Sequence, residues 1–172
     1  VVESSDSSLE ALKLTENRKK LIRTVAENFE HVIVIVNVGN ATELGIVDEY
    51  DSIEAVVWTG IPGTQGCISL GKVLSGQINP SGRLVDTYAY DVSSAPASEN
   101  FGSYKYDNMN GMAFINYEEG IYVGYRYYET RYAGDEEGYR KAVQYPFGHG
   151  LSYTDFAWET VSFAVENEMV NW

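Results

Sequence analysis

The sequence predicts an α/β domain, a layered sandwich with a mainly parallel sheet and a separate β segment at its C-terminal end. Three observations predict it. The runs HVIVIVNV (His31–Val38) and IEAVVW (Ile53–Trp58) are short, apolar and rich in β-branched residues, the composition of strands buried on both faces. Helical stretches precede, separate and follow them, and helix alternating with buried strand implies parallel β-α-β units. Past Ser152 the pattern changes to polar–apolar alternation, a strand signal of another kind.

Taken in order, residues 1–13 mix Ser, Glu and apolar residues without period and read as a loop. Thr15 is placed to cap a helix, with Glu16 favourable in its first turn. Leu21, Ile22, Val25, Ala26 and Phe29 then form one apolar stripe at helical spacing. After the first strand, Thr42–Glu49 reads as a short helix. Gly66–Leu74 reads as a further helix ended by Ser75-Gly76. Asn79-Pro80-Ser81-Gly82 is a turn, and Arg83–Tyr88 a third strand. Residues 92–116, with their Ser, Ala, Pro, Asn and Gly, read as a long irregular loop.

Composition bounds the partners. With 172 residues, 44% hydrophobic and 22% charged, the chain suits one well-buried domain rather than a disordered segment. A net charge of −13 disfavours nucleic acid and an anionic membrane surface, both of which require basic patches. No stretch approaches the ~20 apolar residues of a membrane span. Cys67 is the single cysteine and reads as a packing residue in its helix. His31 and His149 stand far apart, so no His/Cys metal spacing exists. Gly39 follows a strand but lacks the further glycines of a dinucleotide or phosphate cradle, so that signal is weak. Val1 stands where an initiator Met would, so the sequence reads as a piece of a longer chain. None of these features selects a compartment.

Two blocks carry most of the functional information: YEEGIYVGYRYYET (Tyr117–Thr130) and YPFGHGLSYTDF (Tyr145–Phe156). Tyrosines crowd them together with Arg126, His149 and several glycines, a mixture too aromatic for a linker and too punctuated for a long helix. Such a surface suits sugar, whose C–H edges take aromatic faces and whose hydroxyls take donors and acceptors, or else another domain. A tyrosine-rich edge of an ordinary core fits the composition equally well. Upstream, WTGIPGTQG (Trp58–Gly66) sets a Pro-Gly loop after a strand, where open α/β sheets place ligands.

These two blocks, with Trp58–Gly66 and LGKVLSGQINPSGRLVDTYAYD (Leu70–Asp91), resemble in order and spacing the α/β sandwich domain of glycoside hydrolase family 3, the β-glucosidase and β-xylosidase family. The resemblance runs from about Thr15 to Phe156. It implies a sandwich domain over 1–151 and, over 152–172, the truncated start of a fibronectin type III-like module. The implied activity is retaining hydrolysis of terminal β-linked sugars, which needs no cofactor but two carboxylates about 5–5.5 Å apart. In the family the nucleophile is an Asp on a (β/α)8 barrel of ~250 residues, for which this chain has no room. The implied partners are therefore a carbohydrate and such a barrel, in cis or in trans. The chain alone is then expected to be inactive.

The family's acid/base Glu falls where VVESSDSS stands, and Glu3 is the only glutamate there. The glycines that flank it in the family are missing. A solvated loop carboxylate is the preferred reading of Glu3, with the acid/base position as the alternative. Glu118, Glu119, Tyr122 and Arg126 are expected to line the substrate or an interface; at least one of the two glutamates is expected to anchor Arg126 in a charge-assisted pair, a structural clamp being preferred for Arg126 over a sugar ligand. Trp58 is read first as a core residue and second as lining the interface. His149 serves a Gly-His-Gly turn, and Asp86 and Asp91 stabilise a strand end. The alternative to a glycosidase part is a stand-alone carbohydrate-binding or scaffold module.

Overall fold

The computed structural model describes residues 9–100, 104–114, 117–160, 162, 164–166 and 169–171. Glu3 lies outside them. Helix α1 (Glu16–Asn28) starts where expected, with the Thr15 hydroxyl accepting from the Arg18 N–H at 3.4 Å. Its apolar stripe forms, but Ala26 alone is buried, Ile22 and Val25 are half-buried, and Leu21 and Phe29 stay exposed. Strands β1 (Val32–Val36) and β2 (Ile53–Trp58) pair in parallel, from Val32 opposite Ile53 to Val36 opposite Trp58. Helix α2 (Gly66–Leu74) follows β2 with the expected bounds. Cys67 on it is exposed, not packed.

The segment Thr42–Glu49 departs from expectation. It forms a short 3-10 turn, Gly45–Glu49, instead of an α-helix. Leu44, Ile46 and Val47 are all buried there, and packing three large apolar side chains from so short a run overrides helical spacing.

The third strand differs as well. Only Tyr88–Ala89 forms regular β structure (β3), and it runs antiparallel to Val143–Tyr145 (β6). Pairing continues irregularly at both ends. The Leu84 N–H donates to His149 O, the Gly148 N–H to Leu84 O and the Tyr90 N–H to Ala142 O, at 2.8, 2.8 and 3.0 Å. Parallel pairing is thus confined to β1–β2, and the other described pairs are antiparallel. Residues 92–116 are not featureless either: they hold a 3-10 turn, helix α3 (Ala97–Asn100) and a hairpin of β4 (Tyr104–Lys105) with β5 (Ala113–Phe114). Helices α4 (Tyr125–Arg131) and α5 (Glu136–Ala142) lead into β6. Residues 155–160 carry no regular structure, and β7 (Ala164–Glu166) pairs with β8 (Met169–Asn171).

The β3–β6 pair joins two apolar cores because successive side chains of a strand point to opposite faces. Tyr88 packs with Val36 and Leu44, bordered by Tyr145, Val34, Val56 and Leu84. Ala89 and Val143 pack with Tyr128, bordered by Tyr127, Tyr132 and Tyr139. The Tyr128 hydroxyl is satisfied at 2.8 Å by Ser94. Asp48 fastens the 3-10 turn to the ladder, accepting from Tyr90 at 2.8 Å and from the Gln144 amide at 2.9 Å.

The Asn-Pro-Ser-Gly turn is clasped to the Gly-His-Gly segment. Asn79 Oδ1 accepts from the Ser152 hydroxyl and the Tyr153 N–H, and its amide donates to Thr154 Oγ1, each at 3.0 Å. The Arg83 guanidinium donates to the Gly150 carbonyl. A Cβ on Gly150 would run into the Gly82 carbonyl oxygen and the Arg83 side chain. Gly150→Ala is therefore expected to destabilise the fold by about 1–3 kcal/mol, the usual range for forced overpacking. Urea unfolding of the variant beside wild type measures this, and an unchanged midpoint would count against the clasp.

Burial, aided by the charge of Asp86, pushes the Tyr88 hydroxyl up to about 12, and burial raises Tyr145 as well. A hydroxyl whose folded pKa lies above its unfolded value near 10 stabilises the fold fully below pH ~10 and loses that contribution as pH rises through the folded value. Stability is expected to hold to about pH 9 and to fall between about pH 10 and 12. Urea midpoints taken across that range provide the check.

Candidate functional site

The parallel pair β1–β2 ends at a lip formed by residues 37–40 and 59–62, the end of the sheet where open α/β folds bind ligands. Trp58 is the last residue of β2, and its indole N–H needs an acceptor. It finds Val38 O at 3.0 Å, just past the end of β1. The ring is thereby held at the lip, 38% exposed, which overturns the expectation of a core tryptophan. The Thr59 N–H and hydroxyl both donate to Val36 O, at 3.0 and 3.3 Å, closing the ladder beneath it. Ile61 lies against Gly39 across the two loops, and Asn37 and Asn40 are exposed beside them. The lip thus combines a half-open indole, amides and a hydroxyl, the groups that recognise a neutral polyol.

The second aromatic surface is built by α4 and the segment after β6. Tyr125 and Phe147 stack with ring centroids 4.4 Å apart and planes 22° apart, and both stay partly exposed. Tyr122 is 48% exposed beside the turn closed by its own N–H to Glu119 O at 3.1 Å. Tyr145 and His149 lie with ring centroids 5.2 Å apart, so His149 packs on an aromatic ring within its turn.

Arg126 does not take the role expected of it. Among the described residues it forms no ion pair with Glu118, Glu119 or any other carboxylate. Its guanidinium sits 5.7 Å from the centroid of the Tyr125 ring instead. Both residues lie in the first turn of α4. Glu118 is exposed and Glu119 half-buried.

Several aspartates are committed to structure. Asp91 accepts from the Ser93 hydroxyl at 2.5 Å and the Ser93 N–H at 2.8 Å, capping a 3-10 turn, and these bonds lower its pKa. Asp135 caps α5 by accepting from the Gly138 N–H at 2.9 Å. Asp48 has the two donors given above. The sequence pointed to the Asn79 turn but not to its clasp, which needs the Ser152–Thr154 strip brought in from the far end of the chain. That clasp borders an open cleft of about 400 Å³ lined by Ser81, Arg83, Ser152, Thr154, Asp155, Phe156 and Trp158. Among the described residues no cluster of three His, Cys, Asp or Glu is placed to hold a metal ion.

The geometry defines an α/β domain with an aromatic lip at the end of its parallel pair and a tyrosine-rich flank. Comparison makes the assignment specific. Residues 2–125 match the glycosyl hydrolase family 3 C-terminal domain, and the chain belongs to that family. It is 39% identical over 146 residues to beta-glucosidase A of Butyrivibrio fibrisolvens, covering 85% of this chain and 16% of that protein. It is 38% identical over 156 residues to a beta-glucosidase of Ruminococcus albus, covering 90% of this chain and 15% of that protein. Its structure resembles that of beta-D-glucoside glucohydrolase from Trichoderma reesei, with a TM-score of 0.65 and 28% identity, over 88% of this chain and 19% of that one. The chain thus spans less than a fifth of the length of these relatives.

Gly124, directly before α4, has φ 57° and ψ −133°, a backbone conformation that side-chain-bearing residues avoid. No atom beyond its chain neighbours lies within 4 Å of a Cβ built there, so the constraint is conformational and not steric crowding. Gly124→Ala is expected to cost about 1–3 kcal/mol and to disturb the Tyr125–Phe147 stack. Thermal unfolding followed by near-ultraviolet circular dichroism reads both effects. A variant with wild-type melting and an unchanged aromatic signal would show that the residue carries no strain.

Proposed function

We propose that this chain is the α/β sandwich part of a longer retaining β-glycosidase that removes terminal β-linked sugars, β-glucosides first among them. The observation that carries the reading is the family match over residues 2–125 in a chain so much shorter than its beta-glucosidase relatives. Retaining hydrolysis needs a nucleophilic carboxylate and an acid/base about 5–5.5 Å away. Asp48, Asp91 and Asp135 are occupied by turns and helix caps, which supports a nucleophile on another domain. A (β/α)8 barrel, in cis or in trans, is the partner that would supply it.

In this reading the sandwich forms one wall of the sugar site. Trp58 lines that wall or the barrel interface, while Tyr122, Glu118, Glu119 and Arg126 line the flank. Glu3 is the candidate acid/base of this chain. Residues 1–151 make up the sandwich, and 152–172 open a fibronectin type III-like module, a boundary supported by the change from α/β packing to the β7–β8 hairpin. No cofactor enters the proposal, because glycosyl transfer to water proceeds with carboxylates alone.

The test compares the full-length protein, its Glu3→Gln variant and the isolated 172-residue chain on an aryl β-glucoside, with intact mass recorded for each sample. Turnover by the full-length protein and none by the isolated chain is expected. Loss of at least about a hundredfold in kcat for Glu3→Gln, relieved on a substrate whose leaving group needs no protonation, assigns the acid/base. Turnover by the isolated chain would overturn the divided site. Saturable binding of a cello-oligosaccharide with no turnover in any sample would favour a carbohydrate-binding module.

A further inference from the structure

The loops that form the lip carry no charge. Residues 36–42 and 55–66 contain no Asp, Glu, Lys or Arg, in a chain of which 22% is charged and whose net charge is −13. The acidic residues that bound these stretches are engaged elsewhere. Glu43 accepts from the Val92 N–H at 3.0 Å, and Glu54 pairs with His31 at 2.8 Å at the opposite end of the parallel pair. The indole of Trp58 is fixed from two sides. Its N–H is held by Val38 O, and Gly60, at φ 59°, brings bare backbone so close that a Cβ would stand 3.2 Å from ring carbons Cζ2 and Cη2. Gly39 meets Ile61 in the same way, a Cβ there standing 3.0 Å from Ile61 Cδ1. Asn37 and Asn40 are exposed, and neither side-chain amide forms a hydrogen bond among the described residues. A held aromatic surface thus stands beside free amides, with no ionic group in either loop.

We propose that the lip is the leaving-group subsite of the glycosidase, and that the leaving group it takes is a neutral sugar. The inference deepens the proposed function and rests on it. Retaining hydrolysis sets two carboxylates about 5–5.5 Å apart around the bond that breaks. The lip loops supply neither, so they contact a part of the substrate that does not react. The terminal sugar, held between the carboxylates, needs a pocket closed to water, whereas an open lip suits the part that projects beyond the scissile bond. Charge-free loops give an ionic leaving group no partner, and a neutral one meets no ion to desolvate. The held indole offers its surface to C–H edges without losing rotamer freedom on binding. The amides of Asn37 and Asn40 offer donors and acceptors to hydroxyls. A plain aryl leaving group would use the ring and gain nothing from the amides.

The test uses the full-length protein and reads one ratio, kcat/KM for cellobiose over kcat/KM for methyl β-glucoside, whose leaving group is too small to fill a subsite. In Trp58→Ala the ratio is expected to fall about tenfold or more, and in Asn40→Ala about threefold or more. Trp58→Phe keeps a flat ring without the N–H to Val38 O, and is expected to hold the ratio within about threefold of wild type. Partial loss of fold lowers both rates together, so a ratio that stays within about twofold in Trp58→Ala overturns the proposal even if both rates drop. A fall in Trp58→Phe as large as in Trp58→Ala overturns it too, because the residue would then hold the loop and not touch the sugar. Equal efficiency on cellobiose and on its analogue with a carboxylate at C6 of the leaving sugar would overturn the neutral assignment. Absence of turnover by the wild type on both substrates removes the proposed function and this inference with it. Turnover with an unmoved ratio removes the inference alone.

Discussion

The antiparallel run of Leu84–Tyr90 against Ala142–His149 is the constraint on which the rest of the structure depends. It is short and irregular, with a register shift between Tyr88 and Ala89, yet both apolar cores are built on it. Tyr88 turns toward the parallel sheet and Ala89 toward the tyrosine-rich helices, so one dipeptide divides its side chains between two layers. The Asp48 carboxylate and the Gln144 amide then lock the turn after β1 to the same ladder. Closing so long a loop costs chain entropy that grows only slowly with its length, and the buried tyrosines on both sides offset it.

The clasp beside this ladder explains why the chain's most recognisable motifs carry architecture more than chemistry. Asn79 makes three side-chain hydrogen bonds, to Ser152, Tyr153 and Thr154, and Arg83 reaches the Gly150 carbonyl. The Asn-Pro-Ser-Gly and Gly-His-Gly segments are thus two halves of one joint. Groups that are satisfied in this way make poor acids, bases or ligands, while a rigid joint makes a good support.

The surface chemistry is divided. A net charge of −13 is spread over exposed Glu and Asp, several of them in helix-surface pairs such as Glu137 with Lys141 and Glu136 with Arg140. Against this charged background stand the indole at the sheet lip, the Tyr125–Phe147 stack and the exposed Ile33 and Ile35 of β1. Exposed pairs contribute little to stability, whereas apolar and aromatic surface contributes when it is covered. The energetic interest of the surface therefore lies in its uncharged parts.

What the sequence determined by itself is local. The Thr15 cap, the bounds of β2 and α2 and the α/β class follow from side-chain oxygens, β-branching, glycine punctuation and periodicity, all of which act within a few residues. Family membership was also legible, because Trp58–Gly66, Asn79–Arg83 and the two aromatic blocks stand in a recognisable order. Tertiary structure decided the rest. It drew Thr42–Glu49 into a shorter 3-10 turn, Gly45–Glu49, because Leu44, Ile46 and Val47 had to reach the core. It gave the third strand an antiparallel partner, Val143–Tyr145, that lies far away in sequence. It held Trp58 at the lip, where its indole N–H finds an acceptor in Val38 O past the end of β1. It set Arg126 over the Tyr125 ring and not in an ion pair with Glu118 or Glu119. Propensity is summed over neighbours in sequence, while pairing, burial and hydrogen-bond satisfaction are settled between neighbours in space.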